Sequence, residues 1–233
     1  MDEASIQAHF NYNLANSVVR NWPFPHLYFE NVFPDDFYEE MVSSIHEFEN
    51  HKPIAEVLGV SRPDGTPAYP ERVVTLFNNE EKSVNECWAI VKNIMQSKTT
   101  CLGLLSKFSD IAAQRLKKNP NFSAESMLLI DKSNYSIGPH TDAPQKLAAI
   151  LIYLPTTDDK PYLGTSIYIP KHAGITCPGG PHHNVHDFIR VYTAPYKPNT
   201  AFAFIKTDSS FHGVEKVAVN DERHLIQLFV KEA

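Results

Sequence analysis

Residues 135–154 read Tyr135-SIGPHTDAPQKLAAILIY-Leu154, and the reading of this stretch decides the fold. Its second half, Leu147 to Leu154, is an unbroken run of eight apolar residues. That is the length of a strand, and continuous apolarity suits a strand covered on both faces. It is far short of a membrane span. Its first half holds His140 and Asp142, two positions apart. On extended backbone, positions i and i+2 point to the same face, so an imidazole and a carboxylate would converge as two ligands of a metal site. Alone the pair is weak, because a chain with 11 histidines produces such pairs by chance.

Outward from this stretch, the chain changes character near residue 120. Downstream, strands are predicted at about Glu125–Asp131, Leu147–Leu154, Ser166–Ile169, Ile189–Thr193, Thr200–Ile205 and His224–Val230. Asp158, Asp159, Pro161 and Gly164 punctuate one connection, and Pro195, Pro198 and Asn199 another. Such a series predicts a two-sheet sandwich or barrel. Upstream, helices are expected over Pro34–Phe48, Glu80–Lys98 and Leu102–Lys118. Phe37, Met41, Ile45 and Phe48 form one apolar stripe, and Val84, Trp88, Val91 and Met95 another. His26–Val32 and Arg72–Phe77 read as short strands. The expectation is a mainly β, α+β chain forming a single domain over 1–233. Residues 1–120 would be a helix-rich support and 121–233 the β-rich core.

Composition narrows the function classes. A net charge of −6 argues against a nucleic-acid-binding surface. Three cysteines, Cys87, Cys101 and Cys177, show no CxxC spacing, which fits a reducing compartment without a disulfide framework. The acidic, polar opening MDEASIQAHF shows no signal peptide, so a cytoplasmic location away from membranes is expected. Nine glycines and no GxGxxG or GxxxxGK[ST] make a phosphate loop an unattractive reading.

The second half of a site comes from the far end of the chain. His212 follows the apolar strand Thr200–Ile205, and Arg223, eleven positions later, opens the last strand pattern. Two histidines and one carboxylate with coordination positions left open form a donor set suited to iron(II). An arginine holds a carboxylate well, because its planar fork makes two parallel charge-assisted hydrogen bonds.

In this order and spacing the sequence resembles the Fe(II)- and 2-oxoglutarate-dependent dioxygenases, on their prolyl-hydroxylase-like side, over roughly Met127 to Val230. The resemblance implies a double-stranded β-helix (jelly-roll) core flanked by N-terminal helices. It implies Fe(II), 2-oxoglutarate and O2 as cofactor and co-substrates, with His140, Asp142 and His212 as metal ligands and catalytic residues. Arg223 would anchor the C5-carboxylate of 2-oxoglutarate, with Tyr135, followed by Gly138, also touching it. The family's Gly-Gly-Glu-Thr turn is represented only by Leu163-Gly164-Thr165-Ser166, while Pro198 to Phe204 matches the strand leading to the distal histidine. Many prolyl hydroxylases carry lysine in place of Arg223, and Leu225 stands where an Arg-x-Ser pattern places serine. Halogenating relatives have Gly or Ala where this chain has Asp142, so hydroxylation of an unactivated C–H bond is implied, with release of succinate and CO2.

Several further residues carry two readings. Tyr153 lines the co-substrate site or is a core aromatic. Gln227 shares the parity of Arg223 and faces the pocket or is a satisfied core amide. Arg190 binds a substrate carboxylate or forms a surface ion pair. The stretch Lys171 to Asn199 holds His172, Cys177, His182, His183 and His186. It lacks zinc-site spacing and reads as a loop that contributes to substrate binding, His172 included, or as a solvated connection. The substrate is expected to be a small metabolite or amino acid. The alternatives are a peptidyl proline, or a metal-binding jelly-roll protein without oxygenase activity.

Overall fold

A computed structural model describes the chain except for residues 63, 78–84, 118–120 and 181. Its elements are helices α1 (Glu3–Asn16), α2 (Asp35–Ser43), α3 (Ile54–Leu58), α4 (Glu86–Gln96), α5 (Lys98–Ser106) and α6 (Ser109–Leu116). The strands are β1 (Val19–Arg20), β2 (His26–Glu30), β3 (Lys52–Pro53), β4 (Arg72–Leu76), β5 (Phe122–Asp131) and β6 (Ile137–His140). They continue with β7 (Lys146–Tyr153), β8 (Thr165–Pro170), β9 (Phe188–Thr193), β10 (Thr200–Ile205), β11 (His212–Val214) and β12 (Arg223–Glu232). The architecture is α+β, with two antiparallel sheets. The wide sheet runs β1-β2-β10-β7-β12-β5-β4-β3, and the narrow one β6-β11-β8-β9.

Both faces of the wide sheet are covered, which is why β7 is apolar at every position after Lys146. Ala148, Ile150 and Ile152 join the helices in one core cluster, while Ala149, Leu151 and Tyr153 join Ile167 and Val214 of the narrow sheet in another. The same alternation runs through β12. Ile226, Leu228 and Val230 face the helices, and Leu225 and Phe229 face the narrow sheet. A period of two therefore assigns Met127, Leu129 and Asp131 of β5, and Arg223 and Gln227 of β12, to the inter-sheet side.

The helices form a layer behind the wide sheet, α4 against β5 and α5 against β7. Asn85 caps α4 by accepting from the Trp88 amide at 3.1 Å, which satisfies one of the helix's free N–H groups. Trp88, Val91 and Met95 are buried, as their spacing predicts, and the Trp88 indole donates to Ser44 Oγ at 3.0 Å. Val84, the first residue of that stripe, lies outside the described residues.

Some boundaries differ from the sequence reading. The helix expected over Leu102–Lys118 begins at Lys98, where Ser97 accepts from the Thr100 amide, and is broken at Phe108, which leaves the helical region (φ −122°, ψ 37°). Strand β2 ends at Glu30 because Asn31 takes a left-handed conformation (φ 54°). Helix α1 was not anticipated, although Asp2 caps it and Ile6, Phe10 and Leu14 form its buried stripe. Strands β6 and β11 were also missed. They are short, and Gly138, Pro139 and Gly213 weaken any strand pattern. Among the described residues, no helix is long and apolar enough to cross a membrane.

Candidate metal centre

The narrow sheet brings the two distant histidines together. β11 runs antiparallel to β6 with His212 directly opposite His140, and the two imidazole centroids lie 4.4 Å apart. Asp142 stands two residues beyond the end of β6, on irregular backbone rather than on the strand the sequence reading supposed. The register of β11 against β6 shifts just after His212. There Gly213 is required, since a β-carbon would come within 2.4 Å of the Ile137 carbonyl.

Ligand atoms of His140, Asp142 and His212 all fall within 4.8 Å of one another. Each imidazole is oriented from behind. Nδ1 of His140 lies 3.0 Å from the Gly138 carbonyl, and Nδ1 of His212 lies 2.9 Å from the Ser210 carbonyl. A carbonyl only accepts, so each Nδ1 carries the proton and each Nε2 presents its lone pair, as second-shell control of a metal ligand requires. Burial holds the His140 pKa well below 6.5, with His212 adding to the effect, and burial likewise lowers His212. Burial would raise Asp142, but Lys146, His212 and His140 outweigh it and hold the carboxyl down to about 2. Two neutral imidazoles and one carboxylate are the donor set that fits a divalent transition metal with positions left for exogenous ligands. Lys146 donates to Asp142 Oδ1 at 2.8 Å, while Oδ2 lies 4.0 Å from His212 Nε2.

The triad opens on a cavity of about 450 Å³ between the sheets. Arg223, Gln227 and Thr165 line it, together with Tyr69, Arg72 and His182. Arg223 is fully buried and held on three sides. Nε donates to the Leu163 carbonyl at 2.5 Å, Nη1 to Asp131 Oδ2 at 2.7 Å and Nη2 to Thr165 Oγ1 at 3.2 Å. The Leu163-Gly164-Thr165-Ser166 turn thus cradles the arginine. Tyr153 and Tyr135 are not among the cavity's lining residues. Tyr153 donates to Thr165 Oγ1 at 2.9 Å, accepts from the Thr165 amide, and so supports the arginine's support. Tyr135 is buried, with the Arg72 guanidinium 4.2 Å over its ring and its hydroxyl without a hydrogen-bond partner among the described residues.

The histidine-rich stretch divides. His182 accompanies the site, its ring 5.0 Å from that of His140 and its Nε2 2.7 Å from the Tyr69 hydroxyl. His172 and His186 are exposed, and Arg190, half exposed, pairs with Glu215 at 3.2 Å; none of the three lines the cavity. The stretch is tied to the metal segment by the Thr141 hydroxyl on the Cys177 carbonyl (2.7 Å) and the His183 amide on the Pro139 carbonyl (2.8 Å). Sequence reasoning missed Tyr69, Arg72, Asp131 and Lys146. Only a charged residue at each end of the inward parity of β4 and β5 hinted at Arg72 and Asp131.

No protein-family model matches the chain, and no curated protein sequence matches it. Solved structures do. A prolyl hydroxylase from Trichoplax adhaerens, in complex with a peptide fragment of the hypoxia inducible factor oxygen degradation domain, superposes with a TM-score of 0.52 at 10% identity, covering 99% of this chain and 89% of that one. A 2OG-Fe(II) oxygenase family oxidoreductase from Burkholderia pseudomallei gives 0.51 at 12% identity, covering 100% and 91%. The epimerase SnoN, in complex with Fe3+, alpha ketoglutarate and nogalamycin RO, gives 0.52 at 9% identity, covering 99% and 84%. The fold is therefore that of the 2OG-Fe(II) oxygenases, prolyl hydroxylases among them.

Proposed function

We propose that the protein is an Fe(II)- and 2-oxoglutarate-dependent dioxygenase, built on a double-stranded β-helix, that hydroxylates a C–H bond of a small molecule. The observation that carries this reading is the triad of two neutral imidazoles and one ionised carboxylate, with Asp142 and His212 buried and His140 half-buried, open toward a cavity that also holds a buried arginine. Iron(II) bound there supplies, with 2-oxoglutarate and O2, the oxidising power that inserts oxygen into a C–H bond as succinate and CO2 are released.

The chain's own residues do the rest. His140, Asp142 and His212 would hold the metal. Arg223 would receive the distal carboxylate of the co-substrate through the N–H groups left once Leu163, Asp131 and Thr165 have oriented its guanidinium. Gln227, of the same parity, offers an amide to the cavity. Preorganised donors of this kind cost no reorganisation at the moment of binding. The Tyr69–His182 hydrogen bond fixes a side wall of the cavity beside His140.

A volume of about 450 Å³ is that of a small-molecule site; we take a metabolite or amino acid as the substrate, with a peptidyl proline as the alternative. SnoN is an epimerase with the same fold, so stereochemical inversion at a C–H centre is a second outcome open to such a site. The reading is tested by anaerobic titration of the protein with Fe(II) and 2-oxoglutarate, following the visible charge-transfer absorption of the chelate. A well-folded protein that binds Fe(II) but develops no band refutes it. Succinate release over a panel of small molecules and prolyl peptides then separates the substrate classes.

A further inference from the structure

The carboxylate end of the cavity has a charge problem that Arg223 cannot solve. Its Nη1 donates to Asp131, which is fully buried, so this pair alone is neutral and exerts little net attraction on an anion. A third group changes the balance. Arg72, on β4, sits opposite Asp131 in the register of β4 with β5, just as Arg223 sits opposite Asp131 in the register of β12 with β5. Three charged residues thus lie in line across three adjacent strands. Arg72 grips both oxygens of Asp131, with Nε on Oδ1 and Nη2 on Oδ2 at 2.9 Å. Its Nη1 donates to none of the described residues, and the side chain is 11% exposed, lining the cavity.

The other charged side chains that line this cavity are paired: Lys146 with Asp142, and Lys231 with Glu125 at 2.6 Å. Arg72, Asp131 and Arg223 together carry one uncancelled positive charge, buried where it attracts strongly. Burial alone would raise the Asp131 pKa, but Arg72 and Arg223 outweigh it and keep the carboxylate ionised, so the cluster does not neutralise itself by taking up a proton. One further carboxylate would close the charge balance.

We propose that Arg72 is a second carboxylate-binding residue of this cavity, its Nη1 taking the distal carboxylate of 2-oxoglutarate beside Arg223, with Asp131 positioning both guanidiniums. This rests on the 2-oxoglutarate reading above and adds to it a residue from outside the expected core. Because Asp131 holds the two arginines on one carboxylate, an anion that reaches Arg223 lies beside Arg72. In this design the net charge of the cluster, rather than either arginine alone, sets the affinity.

The test is anaerobic titration of Fe(II)-loaded protein with 2-oxoglutarate and with 2-oxobutyrate, which keeps the chelating end and lacks the distal carboxylate. Arg72→Gln makes the cluster neutral and is expected to weaken 2-oxoglutarate at least about tenfold, as loss of a charge-assisted hydrogen bond does. Binding of 2-oxobutyrate stays within about twofold. Arg72→Gln combined with Asp131→Asn restores a single positive charge on Arg223. It is expected to bind 2-oxoglutarate more tightly than Arg72→Gln and less tightly than wild type, the Arg72 hydrogen bond still being absent, and it is informative even if Arg72→Gln alone folds poorly around an under-compensated Asp131. A merely structural role for Arg72, compensating buried Asp131, also allows rescue by Asp131→Asn, but it predicts equal losses for 2-oxoglutarate and 2-oxobutyrate in Arg72→Gln, so the selective loss of 2-oxoglutarate separates the two. Unchanged 2-oxoglutarate affinity in Arg72→Gln, equal losses for both keto acids, or a double variant no better than one lacking Arg72 overturns this inference alone. Wild-type protein that binds Fe(II) but neither keto acid overturns the 2-oxoglutarate reading with it.

Discussion

The two ends of the cavity are built in opposite ways. The metal end belongs to the narrow sheet: His140 is the last residue of its edge strand β6, His212 the first of β11, and Asp142 lies beyond any strand. Its ligands come from short elements with irregular backbone, and their net charge is negative. The arginine end belongs to the interior of the wide sheet, where β4, β5 and β12 align Arg72, Asp131 and Arg223 by register, and its net charge is positive. The two mountings are largely separate, joined through Thr165 of β8, which accepts from Arg223 and pairs with Val214 of β11. Damage at one end should leave the other working, provided the inter-sheet core holds.

The largest expected effect breaks the metal end. Asp142→Ala removes the triad's carboxylate and should lower Fe(II) affinity at least about a hundredfold, given that even second-shell changes cost about 10- to 100-fold. Competition against a chromogenic chelator measures it. Retained affinity would show that another carboxylate serves. Next, Arg223→Ala should weaken 2-oxoglutarate about 10- to 100-fold by removing charged hydrogen bonds, while metal affinity measured the same way stays near wild type. A parallel loss of metal affinity would break the independence of the two ends.

A smaller effect separates the ends by pH. His140 and His212 have folded pKa values below 6.5, so the unfolded chain takes up their protons first. The stability of the metal-free protein from these groups is full above about pH 6.5 and is lost as pH falls below it toward the folded values, at up to about 1.4 kcal/mol per pH unit for each group. Asp131, whose pKa is lowered, contributes stability that is complete above its unfolded value of about 3.9 and is lost only as pH falls further. Urea denaturation at about pH 7.5 and about pH 5.5 should therefore show a loss in wild type that shrinks when both histidines are replaced by glutamine; a loss unchanged by that double replacement contradicts the linkage to these groups. The smallest effect is a control. Arg190→Ala breaks an exposed ion pair outside the cavity, and should change stability by less than about 0.5 kcal/mol and 2-oxoglutarate affinity not at all.

Legibility followed locality. The run Leu147–Leu154 announced a strand covered on both faces, because burial on both sides demands apolar residues at every position. Trp88, Val91 and Met95 announced the buried face of α4 for the same reason. His140 and Asp142, two residues apart and followed by a distant His212 and Arg223, were readable as a set because metal chemistry restricts which side chains serve. β6 and β11 left no readable pattern, since strands of four and three residues with glycine and proline carry too few positions for a period. The Leu163 to Ser166 turn was visible as a turn, but its grip on Arg223 was not.

From the amino-acid sequence alone came the strand-rich second half, the helical support and a ligand set spread over some eighty residues. Chemistry and periodicity act on near neighbours and on residue type, and both are written along the chain. The tertiary structure alone decided which carboxylate and which cations meet. Arg72, Asp131 and Arg223 are separated by 59 and 92 positions and joined only by strand register. No local pattern encodes that register, because it follows from how two faces of one sheet bury their apolar residues at once.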